Sequence, residues 1–254
     1  MDSLDLLSAA ALIALHVQGP HKEFRQRDVR FFGELFANWI ETSGKFQTFK
    51  IHNNQIARKL SQLSKKGALK RKTKGTHPGY ILTSTGLIAC LQEILAIEQA
   101  TDNKSVLFRI YFLSNYSDRI KGLLRSAESE MPTGLKLEIN RLLDWRELAI
   151  QALRRAELDR KRLELRIEDA LSMPIKVKEL SIKMGWQQTV REIEKLYPYE
   201  LNATKSLSAL CANLPQELAK WELTEGSIKR ANQLWKPLLR EVNGYIEELE
   251  KLLS

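Results

Sequence analysis

Residues 52–83, HNNQIARKLSQLSKKGALKRKTKGTHPGYILT, largely determine the fold that we predict for the first part of this chain. The first half of this stretch has apolar residues at spacings of three and four, which is the period of a helix with one buried face. These residues are Ile56, Leu60 and Leu63. Gly67 follows them and is suited to the left-handed conformation that ends many helices. We therefore predict a helix over 52–66.

A β-hairpin is predicted directly after this helix. Residues 68–73 and 80–82 form two short strand-like runs, and the intervening segment 74–79 contains two glycines and a proline. Glycine and proline at this density are typical of a turn between strands. The sequence therefore predicts a helix that leads straight into a small antiparallel sheet.

Further helices flank this pair of elements. Upstream, apolar periodicity predicts helices over 3–17 and 24–42. Downstream, Thr83 or Ser84 can cap a helix over about 85–98, because a hydroxyl oxygen can accept a hydrogen bond from a free amide at a helix start. The predicted order is helix, helix, helix, hairpin, helix.

Charge is distributed very unevenly along the chain. The 254 residues carry 40 Lys and Arg against 31 Asp and Glu, a net charge of +9, yet residues 42–92 contain no acidic residue. Ten basic residues lie in this acid-free segment: Lys45, Lys50, Arg58, Lys59, Lys65, Lys66, Lys70, Arg71, Lys72 and Lys74. Outside it, 30 basic residues face 31 acidic ones. Since exposed surfaces usually intersperse both signs, this segment favours an anionic polymer as its partner.

These residues resemble the winged helix-turn-helix domain of bacterial transcriptional regulators of the PadR and MarR kind. The resemblance covers about residues 1–98 and rests on the apolar helix positions, Lys66-Gly67-Ala68-Leu69, the basic strand Lys70–Lys72, and Tyr80-Ile81-Leu82-Thr83 with Gly86. It implies that the 52–66 helix enters the DNA major groove and that the hairpin, the wing, lies against the adjacent backbone. The helix predicted over 24–42 is longer than is usual in that family.

The side chains of the segment also suit DNA by their chemistry. Arginine can bond guanine bidentately, and asparagine or glutamine can do so with adenine, whereas lysines suit phosphates. The predicted base-reading residues are Asn53, Asn54, Arg58 and Gln62. The predicted phosphate-binding residues are Lys65, Lys66, Lys70, Arg71, Lys72 and Lys74. Gln55, Lys59, Ser61 and His77 complete the predicted DNA-binding set. The alternative is that the cations only form a solubilising face.

The remainder of the chain is predicted to be helical. After a linker over 99–105, helices are expected at 106–127, at 135–173 and at 177–196, with Met173-Pro174 ending the second of these. The long helix is either a coiled-coil arm or one member of a bundle. The fold class predicted for the whole chain is mainly α, with a winged-helix domain at 1–98, a helical linker and arm at 99–175, and a C-terminal helical region at 176–254.

The last region contains the most regular repeat of the sequence. Its apolar seam consists of Ile228, Ala231, Trp235, Leu238, Val242, Tyr245, Leu249 and Leu252, at alternating spacings of three and four. Pro237 within it must either kink the helix or mark a new start. We predict that this seam forms a homodimer that places two DNA-binding heads about one DNA turn apart; the alternative is an internal bundle core.

The sequence offers no motif for catalysis, for a metal or for a cofactor. It has no GxSxG, GxxxxGK, GxGxxG or HExxH, and neither cysteine lies in a CxxC pair. The apolar run near the N-terminus follows two acidic residues and is too short to span a membrane, so a cytoplasmic chain is expected. We expect a non-enzymatic, sequence-specific regulator that binds double-stranded DNA and, by the resemblance, acts as a repressor. The alternatives are a winged-helix protein of replication, partition or mobile-element maintenance, and a protein–protein adaptor. The pattern does not indicate a small-molecule effector.

Overall fold

The computed structural model describes residues 3–19, 22–39, 53–72, 78–97, 102–125, 132–196, 212 and 214–254. These residues are mainly helical, with one two-stranded sheet. They divide into an N-terminal unit, 1–153 with 247–254, and a C-terminal unit, 154–246. The mainly helical fold class is confirmed. The predicted domain boundaries at 98 and 175 stay predictions.

The N-terminal unit is built around one central helix. Its elements up to residue 142 are α1 (Ser3–Gln18), α2 (Gln26–Trp39), α3 (Asn53–Lys65), β1 (Leu69–Arg71), β2 (Tyr80–Leu82), α4 (Ser84–Leu95), α5 (Asn103–Arg125) and α6 (Thr133–Leu142). Every residue of α1 from Leu6 to Ala14 is buried, and the helix packs against α2, α4 and α5. A helix that is apolar all round is stable only when neighbours cover it on every side. The core of this unit therefore surrounds α1.

A second part of the core is aromatic. Phe36 of α2 is fully buried and lies edge-on to Phe108, Phe112 and Tyr116 of α5, with ring centroids 5.6 to 6.2 Å apart. Edge-to-face pairs at this distance add stability beyond the area they bury. The aromatic contacts thus fix α2 against α5.

The hairpin has the predicted position and gains an unexpected neighbour. β1 and β2 pair antiparallel with Leu69 opposite Leu82. Phe24 exchanges both backbone hydrogen bonds with Tyr80, at 2.9 and 2.8 Å, and so forms a one-residue bridge on the other side of β2. The prediction of a helix from residue 24 was wrong, because Phe24 belongs to the sheet and α2 begins at Gln26. Residues 40–52, which include the predicted end of that helix, lie outside the described residues.

The elements of the C-terminal unit are helical, as predicted, but their bounds differ from the prediction. They are the part of α7 (Trp145–Met184) from 154 onward, α8 (Trp186–Leu196), α9 (Gln216–Arg230), a π-helical turn (Ala231–Trp235) and the part of α10 (Lys236–Leu253) up to 246. Two clusters form the core of this unit. Met173, Val177, Val190, Ile193 and Leu223 make up the first; Ile167, Ala170, Ala231 and Trp235 make up the second.

The prediction of one helix over 135–173 was wrong at both ends. α6 ends at Leu142, and Asp144 then caps α7 by accepting a hydrogen bond from the Glu147 amide at 3.4 Å. The pair Asp144 and Glu147 has the spacing of a capping box, a helix-start signal that apolar periodicity does not detect.

Pro174 does not end the helix, contrary to the prediction, because α7 continues through it to Met184. An interior proline costs about 3 kcal/mol. Met173 and Val177 on either side are both buried in the core of the C-terminal unit, and this burial offsets the cost. The predicted helix over 177–196 is instead divided at Gly185, whose φ of +74° is the left-handed conformation that ends a helix.

The helix over the predicted C-terminal seam contains a wide turn in front of Pro237. At Ala231–Trp235 the hydrogen bonds change to the π pattern, in which the Lys236 amide bonds the Ala231 carbonyl. Pro237 then stands in the first turn of α10, where a missing backbone donor is tolerated best. The chain therefore remains helical through this region by inserting a π-helical turn.

Candidate nucleic-acid interface

Two faces of α3 differ sharply in burial. Ile56 and Leu60 are each only 2% exposed and hold the helix against the core, with α2 and β1 as its neighbours. The opposite face is polar and lies at the surface. Its exposed residues are Gln55, Arg58, Ser61, Gln62, Lys65 and Lys66, and Lys59 is half-buried at its edge. The structure thus describes several of the side chains of this helix that were predicted to read bases or bind phosphates. They share one accessible face or lie at its edge.

The start of α3 is described only in its backbone. Asn53 and Asn54 are the first two residues of the described helix and lie within the predicted range 52–66, but their side chains lie outside the described part of the chain. Lys74 and His77, in the predicted turn of the hairpin, also lie outside it. Their predicted roles stay predictions.

Gly67 joins α3 to the hairpin through a tight turn. Its φ is +75°, its amide donates to the Ser64 carbonyl at 3.1 Å, and the Ala68 amide donates to the Leu63 carbonyl at 2.9 Å. This pair of bonds is the Schellman motif, which ends a helix with a left-handed residue. The prediction that Gly67 ends α3 is confirmed. The turn fixes where β1 leaves the helix.

Thr83 and Gly86 hold the other end of the hairpin against the same turn. The Thr83 hydroxyl caps α4 by accepting a hydrogen bond from the Gly86 amide at 3.1 Å, and lies 2.8 Å from the Gly67 carbonyl and 3.0 Å from the Ala68 carbonyl. A Cβ on Gly86 would overlap the Ala68 carbonyl oxygen. Of the two predicted caps, Thr83 is the one that forms. These three hydrogen bonds of Thr83 hold α3, the hairpin and α4 in fixed positions relative to one another.

The hairpin presents its basic residues to solvent. Leu69, Tyr80 and Leu82 are buried, whereas Lys70 and Arg71 on β1 are exposed, together with Lys72 directly after it. The Lys72 amide bonds the Gly79 carbonyl at 2.9 Å and extends the pairing by one residue. We define the basic surface as the exposed cations of these two elements: Arg58, Lys65, Lys66, Lys70, Arg71 and Lys72.

Carboxylates are absent from the sequence of α3, β1 and β2. The acids of α2 are engaged locally: Asp28 lies 3.5 Å from Arg27, and Glu34 bonds Arg30 at 2.9 Å. Charges of one sign on neighbouring elements add to a positive potential that draws anions toward the surface. The basic surface is therefore suited to a polyanion.

Two basic residues near this surface were not predicted from the sequence. Arg25 and Arg27 are exposed at the start of α2, directly after the Phe24 bridge to β2. The Arg25 amide donates to the Asp28 carboxylate at 2.7 Å, which fixes the start of the helix. The alternating sequence Arg25-Gln-Arg27 could have indicated them. It was overlooked because acidic residues lie beside it and because it precedes the acid-free segment 42–92.

The predicted C-terminal seam is largely covered within this chain. Ala231 and Trp235 pack on Ile167 and Ala170 of α7. Tyr245 and Leu249 are also buried, whereas Ile228, Val242 and Leu252 are half-buried. Leu238 remains 40% exposed, because the π-helical turn shifts the residues after it around the helix. A dimer through this seam stays a prediction.

Other chemistry is sparse among the described residues. They contain no cluster of three or more His, Cys, Asp or Glu side chains that could hold a metal ion. Burial raises the pKa of the Cys90 thiol to about 12, and a protonated thiol is a poor nucleophile. Arg109 is fully buried and contacts Glu93, 3.6 Å away; burial lowers its pKa, which Glu93 partly offsets. These groups have the character of core contacts.

Comparisons with family models, with curated proteins and with solved structures gave no match for this chain. Among the described helices, none is both long and apolar enough to cross a membrane. The residues of the basic surface therefore remain the main indication of function.

Proposed function

We propose that the N-terminal unit binds double-stranded DNA through α3 and the hairpin, as the winged-helix head of a transcriptional regulator. The observation that carries this proposal is the basic surface itself, which gathers six exposed cations on two adjoining elements of an acid-free segment. DNA carries one phosphate charge per about 1.7 Å of its axis, so clustered exposed cations match its charge density well.

The order of elements supports a winged-helix arrangement. α1, α2, α3, the hairpin and α4 follow one another as the resemblance implies, and Phe24 adds a short strand-like bridge between α1 and α2. α3 has a buried apolar face and a polar outer face, as a helix that enters the major groove requires. The hairpin begins directly at the end of α3 and would meet the adjacent backbone.

The proposed roles divide by chemistry. Arg58 and Gln62 lie one turn apart on α3 and can hydrogen-bond base edges. Lys65 and Lys66 at its end, with Lys70, Arg71 and Lys72 of the hairpin, bind phosphates and fix the register. Repression of transcription is what the resemblance implies for such a head.

The experiment is an anisotropy titration of labelled duplex DNA at several salt concentrations. With about four phosphates neutralised, the slope of log affinity against log salt should be about −4, since each phosphate contributes roughly −0.9. A slope near zero would contradict the electrostatic argument. Failure to bind any duplex would favour the protein–protein adaptor, whereas binding as a monomer to repeated sites would favour a replication or partition role.

A further inference from the structure

One face of α7 in the C-terminal unit carries large apolar side chains that no other described residue covers. Leu158, Leu165, Ile175 and Ile182 are 56%, 61%, 62% and 76% exposed. The opposite face of the same helix provides the buried residues of the core, among them Ile167, Ala170 and Val177. The exposed residues therefore form a second apolar face on a helix whose first face is already occupied.

The spacing of this face is that of a helix pair. Between the four apolar residues lie four polar ones: Lys161, Glu168, Ser172 and Glu179. We call these eight residues the α7 stripe. From 158 to 182 their spacings alternate between three and four without exception, which is the a and d pattern of two packed helices.

The α7 stripe is complementary to itself when a second copy runs antiparallel. With the two-fold axis at residue 170, Leu158 lies opposite Ile182 of the second copy, and Leu165 lies opposite Ile175. The same register places Lys161 opposite Glu179, so the charged positions attract in both symmetric halves. In a parallel pair each of these charges would instead face its own copy, and like charges at such positions repel.

Residues on either side of the α7 stripe would also meet in this helix pair. The contacts on one side are favourable, and those on the other side are unfavourable. On one side Glu164 comes near Lys178, and Leu171, which is 42% exposed, lies beside its own copy at the two-fold axis. On the other side Arg162 comes near Lys176, and the exposed Asp169 lies beside its own copy at the two-fold axis; both like-charge contacts weaken the pair. The attractive contacts are therefore partly offset, which favours a reversible dimer over a permanent one.

We infer that this protein forms an antiparallel homodimer through the α7 stripe, with Lys161 of each copy paired to Glu179 of the other. This surface is distinct from the predicted seam in the last helix, where Ala231 and Trp235 are already buried against α7 of the same chain. The inference does not depend on DNA binding, so its test and that of the proposed function can fail separately.

A charge-swap series on the full chain tests the pairing by sedimentation equilibrium. Lys161→Glu and Glu179→Lys should each weaken the dimer at least about tenfold, because both symmetric contacts become repulsive. The double variant should regain the parent affinity. An equimolar mixture of the two single variants should also form a heterodimer, since both of its contacts are then attractive.

Restoration in this series would have to come from a second copy. Lys161 and Glu179 lie 18 residues apart on one helix, about 27 Å, and cannot touch within a chain. Arg240→Glu, an exposed residue of α10 outside the stripe, is the matched control and should leave the dimer unchanged.

Three results would overturn the inference. The parent chain could remain monomeric throughout the concentration series. It could form a dimer that the single charge variants leave intact. The single variants could lose helical circular dichroism, which would show that a segment of the same chain covers the stripe. Leu165→Glu combined with Ile175→Glu should give a folded monomer if the stripe binds a second copy.

Discussion

The acid-free segment and α7 contain the same number of cations but differ in what accompanies them. Residues 42–92 have ten basic residues and no acid, whereas α7 has ten basic residues and seven acids along Trp145–Met184. In α7, Arg162 contacts Asp159 at 3.4 Å, one turn away. The first region concentrates one sign of charge on its surface, and the second alternates both signs along one helix.

This difference shows that the number of cations alone does not make a polyanion site. Interspersed acids screen the basic residues of α7 and leave short-range pairing as their main effect. Segregated cations act together at a distance and remain attractive to a polymer of negative charge. The two regions thus suit different partners: DNA for the basic surface, and a second copy of the chain for the α7 stripe.

The largest effect is expected from removing cations of the basic surface. Replacing Lys65, Lys66 and Lys70 by alanine should lower duplex affinity about a hundredfold at about 0.15 M salt, because three phosphate contacts are lost. The slope of log affinity against log salt should become shallower by about 3. Anisotropy titration measures both quantities.

The matched control removes three exposed cations of α7 that lie outside the contacts described for the α7 stripe: Arg146, Arg154 and Lys183. Net charge changes equally, so a general charge effect would weaken both variants alike. We expect less than about a twofold change for the α7 variant. Equal losses in the two variants would show that segregation of charge has no special role.

A smaller effect concerns how the basic surface is held in place. Gly86→Ala should destabilise the N-terminal unit by about 1–3 kcal/mol, since the new Cβ would overlap the Ala68 carbonyl oxygen. Gly122→Ala in α5 is the control: no atom lies near its Cβ position, so it should stabilise by about 0.5–1 kcal/mol through helix propensity. Urea unfolding followed by circular dichroism measures both. A neutral Gly86 variant would contradict the close contact between α4 and the turn after α3.

Helix ends were predicted correctly from the sequence where a single residue determines the end. Gly67 ended α3 and Thr83 capped α4 because each makes its bond within a few residues of the chain. The same reasoning failed at Pro174, where burial of Met173 and Val177 outweighs the cost of an interior proline. Such burial depends on partners far along the chain, and periodicity in one segment does not reveal them.

The candidate site was predictable to a similar degree. The acid-free composition of 42–92 identified the exposed cations of α3 and β1, since an alternation of buried and polar positions already separates the two faces. Arg25 and Arg27 were missed because their place next to the hairpin depends on the Phe24 bridge to Tyr80. This bridge joins two residues that are far apart in the sequence. The α7 stripe was missed because apolar periodicity within α7 does not indicate which face of the helix the core occupies.

Arg58 should distinguish base reading from phosphate binding within the basic surface. Arg58→Ala should cost about 1–3 kcal/mol on the preferred duplex and less on others, if its guanidinium makes a bidentate contact with guanine. Lys72→Ala should weaken all duplexes alike. Selection of bound duplexes from a random pool, repeated with each variant, measures the preference. A changed preference for Lys72→Ala with an unchanged one for Arg58→Ala would place recognition in the hairpin instead.

The smallest effect compares one substitution in the two regions. Gly67 and Gly185 each end a helix with φ near +75°, and apart from the adjoining residues no atom lies within 4 Å of either Cβ position. Alanine at either site should therefore cost about 1 kcal/mol through backbone strain alone, as urea midpoints would show. Only Gly67 also sets the direction in which β1 leaves α3, so Gly67→Ala alone should lower duplex affinity. Equal stability losses with an affinity loss confined to Gly67→Ala would tie DNA binding to the geometry of that turn. If Gly185→Ala weakened DNA binding as much, the basic surface would depend on the C-terminal unit, and the contrast between the two regions would fail.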